Sequence, residues 1–489
     1  MVDPPSKPAP KPHKSNQQNQ STNKRISKKI PKKPKGKANV TVVLHKRWLL
    51  SIVAFVVLLS SAGLMTTFIW ISIQFIFNPE QLVGLNQVLP QWAKIPLSNE
   101  ESSQTLQQIQ ASLSLQGQIV GEILPLESDT TKSFLLPVFH RSANCQSDCQ
   151  YLVELRIYQR SIDLPEKYYH LVTQLPVSGP EESSVFATLD RTTDDNQGSG
   201  NTLPLSQIGR FEDGTPSSGI WFYLRGERTS GKNAIAYGHI VYYNPEHTYL
   251  QLMLPWTSTT GQLPQWLPAT NGSAKELIVD QTVGLEPQLR VYQVKPVKFI
   301  PCPIQLEAIS LTPAASQDSA YQNALLIARS GLWTPAFEWL QFIKKQRKGR
   351  IPEAAQAQID LIRLHSQLTK NQADISWASP SQQVLADLVD GRWGKALQVF
   401  AASPQNAQEI ATLLKADEGR LWNRVEATLR VNPNRPEVQA WGALILATQH
   451  GQERANSWLK EQPKTTNDSL TYIQNFLEKL NMGMLSTPS

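Results

Sequence analysis

Gly226-Glu227-Arg228-Thr229-Ser230-Gly231-Lys232-Asn233 comes within one residue of the phosphate-cradling pattern G-x-x-x-x-G-K-[ST]. In that chemistry the loop amides and the lysine hold phosphates, and the closing hydroxyl reaches Mg²⁺. Here Asn233 replaces the hydroxyl, and the following AIAYGHIVYY reads as a strand. A phosphate loop must instead open a helix whose N-terminus faces the anion. The stretch is therefore expected to be a hairpin loop. His140, Cys145 and Cys149 form H-x4-C-x3-C, which could supply three zinc ligands, but no fourth ligand is nearby. A Cys145–Cys149 disulfide is preferred if this region is exported, with free or otherwise paired thiols, Cys302 included, as the alternative. None of the eight histidines belongs to H-E-x-x-H, and no G-x-S-x-G accompanies them. His239 and His247 could face each other across a hairpin. Asp194-Asp195 sits in a polar loop and reads as solvated. No catalytic residue, cofactor site or metal site is assigned, and the leading reading is non-enzymatic.

The stretch that decides where these groups lie is Trp48–Phe77. It carries no charged residue. A bilayer core of about 30 Å takes about 20 apolar residues as a helix, so the run can span with tilt. Trp48 and Trp70 lie near its ends, where indole rings prefer the headgroup level. A cleaved signal would have an apolar run of about 7–15 residues, and this one continues well past its small-residue cluster Ser60-Ser61-Ala62-Gly63. Thirteen Lys and Arg against Asp3 give residues 1–47 a charge of +12; with the whole chain at +7, the remainder carries −5. The basic flank stays on the cytoplasmic side, which places residues 78–489 outside, in the manner of a bacterial inner-membrane protein. The mildly acidic remainder, and a tail without aromatics to stack on bases, speak against a nucleic-acid partner.

The chain divides as follows. Residues 1–47, rich in Pro, Lys, Gln and Asn, are a disordered basic tail attracted to anionic lipid. Residues 48–77 are the transmembrane helix. Residues 78–114 link onward through an amphipathic helix over about Asn99–Leu113, for which Ser98 to Glu101 has capping-box spacing. Residues 115–305 alternate short Val-, Ile-, Tyr- and Phe-rich runs with Gly, Pro, Asn and Asp. Candidate strands are 115–123, 133–140, 150–160, 167–174, 205–211, 219–226, 233–243, 247–254, 276–283 and 288–298, with a meander over Ile220–Leu254. YLVELRIYQ alternates with period two. An antiparallel β-rich domain, sandwich or barrel-like, is expected. Residues 306–317 link to an α-helical domain, 318–482, where the apolar period becomes 3.6 and Pro335, Pro352, Pro380 and Pro436 mark helix starts. Residues 483–489 form a short disordered tail.

The helical part repeats itself. Gly331-Leu332-Trp333-Thr334-Pro335-Ala336-Phe337 matches Gly391-Arg392-Trp393-Gly394-Lys395-Ala396-Leu397, and both read G-x-W-x-x-A-[FL]. Gly permits the turn between paired helices, the aromatic plugs the gap and the small Ala allows close approach. In this register Arg392 and Lys395 are expected to point away from the seam. The pattern resembles the tetratricopeptide repeat in its order of Gly, aromatic, Ala and large apolar residue. Residues 427–441, with Asn432-Pro433, resemble that family's junction between repeats. The resemblance covers about residues 318–462, with its two copies 60 residues apart rather than one period. It implies a helical array that binds protein partners through residues 318–482. The expected function is a membrane-tethered scaffold or assembly factor. The alternative is cell-wall or glycan binding, or an enzyme, in the β-rich domain through Trp221, Tyr223, Tyr242, Tyr243, Trp256 or Trp266.

Overall fold

The computed structural model describes residues 103–489 except 128, 130, 142–149, 162–166, 188–200, 213, 231–232, 271–273, 299–302, 464–465 and 486–489. The basic tail, the apolar run 48–77, Cys145, Cys149, Cys302 and the Asp194-Asp195 loop lie outside the described residues. Among those described, no helix is long and apolar enough to cross a membrane. The middle of the chain is antiparallel β-sheet and the C-terminal region is helical.

β1 (Gln104–Thr105) leads directly into α1 (Leu106–Leu115). The expected start of this helix near Asn99 is thereby corrected. β1 pairs with a later strand and is extended, so the helix cannot begin before it. The capping box is built by Thr105 and Gln108. The Thr105 hydroxyl accepts from the Gln108 main-chain N–H at 3.3 Å, and the Gln108 side-chain Oε1 accepts from the Thr105 N–H at 2.9 Å. Ile109 and Leu113 are buried on the first sheet. Each contributes roughly 1.5–3 kcal/mol by leaving water.

That sheet comprises β2 (Gln118–Val120), β3 (Leu124–Pro125), β4 (Ser133–Arg141), β5 (Gln150–Arg160) and β6 (Tyr168–Pro176), in the order β1-β6-β5-β4-β2, with β3 also on β4. A five-residue helix, α2 (Glu182–Phe186), follows. The second sheet is the expected meander, β10-β9-β8-β7, from β7 (Gln207–Arg210), β8 (Ile220–Ser230), β9 (Asn233–Asn244) and β10 (Tyr249–Ser258). The third runs β11-β12-β13-β14, from β11 (Gln265–Leu267), β12 (Glu276–Asp280), β13 (Leu289–Pro296) and β14 (Ile304–Ala308).

Strand alternation explains how the sheets stack. Along β9, Ile235, Tyr237, Val241 and Tyr243 pack with Leu135, Leu155 and Ile157 of the first sheet. Their neighbours Ala236, Ile240 and Tyr242 pack with Trp266, Leu277 and Val279 of the third. The second sheet is thus buried on both faces over residues 220–224 and 235–243, where its strands are almost wholly apolar or aromatic, while the β8 end at Arg225, Glu227 and Arg228 is polar. On β5 the period-two pattern breaks. Leu152 shares a core with Leu155 and Ile157, and the ladder shifts register where Val138 pairs Glu154 but Phe139 pairs Leu152. Val153 is the extra residue of a bulge, which exchanges the faces of the strand on either side.

The near phosphate loop is a hairpin, with Ser230 opposite Asn233. His239 and His247 do not face each other, which corrects that expectation. His239 lies opposite Leu224 and Pro255, and His247 sits in the β9–β10 turn. The His239 ring is bonded through Nε2 to the Ser178 carbonyl at 3.0 Å.

The helical region contains α3 (Ser319–Arg329), α4 (Trp333–Gln346), α5 (Glu353–Asp374), α6 (Pro380–Val389), α7 (Trp393–Ala401), α8 (Pro404–Lys415), α9 (Arg420–Val431), α10 (Pro436–His450), α11 (Gln452–Glu461) and α12 (Asn467–Leu485). Asp318, Ser379 and Ser403 cap α3, α6 and α8 by accepting backbone N–H bonds, and prolines occupy the first turn of α6, α8 and α10. α3 packs on α4, α6 on α7 and α10 on α11, while α9 packs back on α3 as well as on α10. α10 is buried on every side from Val438 to Leu446 and touches α7, α8, α9, α11 and α12. The centre of the region is therefore filled by a helix.

Residues 306–317 begin as the end of β14 and continue as a fastened connection. Buried Gln358 of α5 donates to the Ser310 and Pro313 carbonyls at 2.7 and 2.8 Å and accepts from the Ala315 N–H at 3.0 Å.

Candidate functional site

Both G-x-W-x-x-A copies build the same turn. After α3, the Gly331 N–H bonds the Ala328 carbonyl at 2.9 Å and the Leu332 N–H bonds the Ile327 carbonyl at 3.2 Å. After α6, Gly391 and Arg392 do the same to Leu388 at 3.1 Å and Asp387 at 2.7 Å. This paired closure of a helix end needs a left-handed residue, and Gly331 (φ 89°) and Gly391 (φ 79°) supply it. Ala336 and Ala396 are both wholly buried in the helical core. Trp393 is buried too. Trp333 is half-buried and stacks on His365, with ring centroids 4.0 Å apart.

Arg392 and Lys395 do not point away, so that expectation is corrected. Asp390, at the end of α6, is buried, and Arg392 Nε donates to its Oδ2 at 2.7 Å. Its Oδ1 accepts from the hydroxyls of Thr369, at 2.9 Å, and Thr334. Lys395 Nζ bonds the buried Asp387 at 3.0 Å. The two cations keep two carboxylates compensated inside the α6–α7 hairpin, while Arg392 also pairs with the exposed Asp374 at 2.7 Å.

Each motif turn borders a cavity. Gly391, Trp393, Leu332, Pro335 and Trp339 border one of about 650 Å³, with Thr428 and Arg435 opposite. Gly331 and Trp333 border a cleft of about 720 Å³ between the third sheet and the helices. One wall is the β12–β13 hairpin. Its tip is closed by the Val283 and Glu286 backbones, bonded to each other at 3.2 and 3.0 Å. The facing wall is the start of α9, with Arg420, Asn423 and Arg424. The floor is α5, where His365 and Leu361 meet β13.

His365 ties the two regions together. Its Nε2 accepts from the Leu289 N–H at 2.8 Å, so the ring proton sits on Nδ1, which is bonded to the Leu361 carbonyl at 2.9 Å. Burial pushes its pKa down to about 4, against smaller upward pulls from the Leu361 bond and the Asp280 charge. A neutral ring is what an Nε2 acceptor requires. Arg363 of α5 adds a second tie, donating to the Ala269 carbonyl at 2.7 Å.

Arg424 is the unusual group. Only 2 % of it is exposed, and its Nη2 pairs with Glu286 across the cleft. Its Nε and Nη1 are buried without a hydrogen-bond partner among the described residues. A Cβ on Gly331 would stand 2.7 Å from Arg424 Nη2, so the motif glycine also makes room for the guanidinium. Sequence reasoning passed over Arg424. The available signal was an arginine on the apolar stripe of α9, one turn from Leu421 and one turn from Thr428.

The aromatics considered for glycan binding are mostly interior. Trp221, Tyr242, Tyr243, Trp256 and Trp266 are buried, and Tyr223 packs edge-on to Phe211 at 5.3 Å. Among the described residues, no group of three or more His, Cys, Asp or Glu is placed to hold a metal ion. No protein-family model matches this sequence, and no curated protein matches it either.

Proposed function

We propose that this protein is a membrane-anchored scaffold or assembly factor of the bacterial-envelope kind, with residues 1–47 cytoplasmic and the β-rich and helical regions outside. Its helical region is a degenerate tetratricopeptide-like array that receives protein partners, mounted on a β-sandwich-like support. The observation that carries this reading is the repeated turn. Two stretches 60 residues apart adopt the same glycine closure, bury the same alanine and border the two cavities described above. Burial of Trp221, Tyr242, Tyr243, Trp256 and Trp266 supports this reading over the glycan-binding alternative.

Two experiments test the reading. Protease added to intact spheroplasts should digest the β-rich and helical regions and spare the tail; their protection would overturn the topology. A photo-crosslinking amino acid at Glu338 or Arg435, beside the second cavity, should trap a discrete polypeptide in cells. The same residue at Glu426, exposed on α9, should trap markedly less. Equal trapping at all three positions would overturn partner binding by this region.

A further inference from the structure

We propose that the cleft between the third sheet and α9 binds a carboxylate group of a partner polypeptide, with Arg424 as its anchor. The inference rests on the reading that the helical region receives polypeptide partners, and it names the chemistry of one subsite. A guanidinium taken out of water normally has its donors matched, because an unmatched charged donor is costly. Arg424 is almost wholly buried, yet only Nη2 is matched, by Glu286. Two donors of a permanently charged, planar group that borders the cleft are therefore unmatched, although both atoms are themselves buried. That geometry suits a carboxylate better than any neutral group.

The other charges around the cleft also favour an anion. Arg290, Arg329 and Arg420 also border the cleft, against Glu286 and Glu418. Arg290 and Arg329 are partly used, bonding Gln281 at 3.0 Å and the Leu325 carbonyl at 3.2 Å. Arg420 is exposed at the rim. With Arg424 these make four guanidinium groups against two carboxylates, a surplus of positive charge that draws an anion into the cleft. The site is made by a β-hairpin on one side and a helix on the other. The ligand therefore bridges the two regions that His365 and Arg363 join.

The test uses the full chain in detergent and an array of decapeptides of random sequence. Each peptide is displayed with or without Asp and Glu, and with a free or an amidated C-terminus. Peptides carrying a carboxylate should bind at least about tenfold more tightly than their neutral, amidated counterparts, the order expected for one charge-assisted pair. The two display formats separate a side-chain carboxylate from a terminal one. Arg424→Gln should abolish the preference. Arg420→Gln, at the exposed rim, should weaken it less. Glu286→Gln removes the competing carboxylate and should strengthen it, an effect that a purely structural Arg424–Glu286 pair would not produce and that does not require the Arg424 variant to fold. If neutral peptides bind as well as acidic ones to the parent and to Glu286→Gln, the carboxylate inference falls while partner binding stands. If no peptide binds, both fall. If inorganic phosphate displaces peptide as effectively as acetate does, the site is a general anion site and the carboxylate assignment is overturned.

Discussion

Trp441 donates its indole N–H to the main-chain carbonyl of Trp393 at 3.0 Å, with both side chains buried in the helical core. The bond joins the second motif turn to α10, the helix that fills the centre of the region. Phe400, one turn after Leu397 on α7, meets Trp441 edge-on at 6.1 Å. Trp393→Ala should therefore cost about 3–5 kcal/mol, the range for deleting a buried aromatic. Trp441→Phe keeps most of the volume but removes the indole N–H that the Trp393 carbonyl accepts, and should cost about 0.5–1.5 kcal/mol. Urea titration of the full chain in detergent, followed by circular dichroism, reads both. A Trp393→Ala midpoint equal to the parent's would show that this turn does not hold α10.

Arg392 gives the next prediction. Asp390 is buried and depends on Arg392, Thr334 and Thr369 for compensation. Removing the cation leaves a buried carboxylate with hydroxyl partners only, which costs on the order of 3 kcal/mol. Arg392→Ala should lower the urea midpoint accordingly, whereas Glu426→Gln, on the exposed side of α9, should change stability by about 0.5 kcal/mol or less. Equal midpoints for the two variants would mean that the Asp390 cluster is not compensated as described.

Much of the β-rich region was legible because its strands are long and bounded by turn residues. β4, β5, β8, β9 and β10 all fall where Val, Ile, Tyr and Phe runs stand between Gly, Pro and Asn. What escaped was short or disguised. β11 has three residues, too few for any period, and β14 follows Pro301 and Pro303, which read as a break. The β5 bulge escaped because one extra residue leaves the alternation intact on each side and only reverses its meaning. The motif turns could be read because glycine conformation is a local property. The cleft could not, because Glu286 and Arg424 are 138 residues apart and only tertiary packing brings them together.

Gly331 makes a sharper test than a turn glycine usually allows. Gly349 also has a left-handed φ, 76°, but a Cβ there would meet nothing within 4 Å. Gly349→Ala should cost only the backbone strain, about 1 kcal/mol. Gly331→Ala adds a collision with Arg424 and should cost at least about 1 kcal/mol more. In the Arg424→Ala background the extra cost should vanish, giving a clear interaction energy in a double-mutant cycle. Additive effects would place the guanidinium elsewhere.

His365 makes the union of sheet and helices depend on pH. Its ordinary pKa is 6.5 and burial lowers it to about 4 in the folded chain. Between these values the unfolded chain binds a proton that the folded chain does not, so stability must fall as pH falls. The contribution is complete above pH about 6.5 and is lost progressively down to about 4, a span worth about 3 kcal/mol at the exchange of roughly 1.4 kcal/mol per unit. Protonation would also turn Nε2 from an acceptor into a donor facing the Leu289 N–H, breaking the 2.8 Å bond to β13. His170 and His239 are shifted downward by burial as well and add loss of the same sign. The measurement is therefore a comparison: urea midpoints of the parent and of His365→Gln from pH about 7 to about 4.5, the carboxylates that begin to titrate at the lower end being common to both proteins. The parent should lose clearly more stability over that interval than the variant. It should also release the β13–α5 junction first, seen as faster amide exchange at Leu289 than at Val241 in the sheet core. Parallel losses in the two proteins would show that His365 does not titrate between its unfolded and folded values.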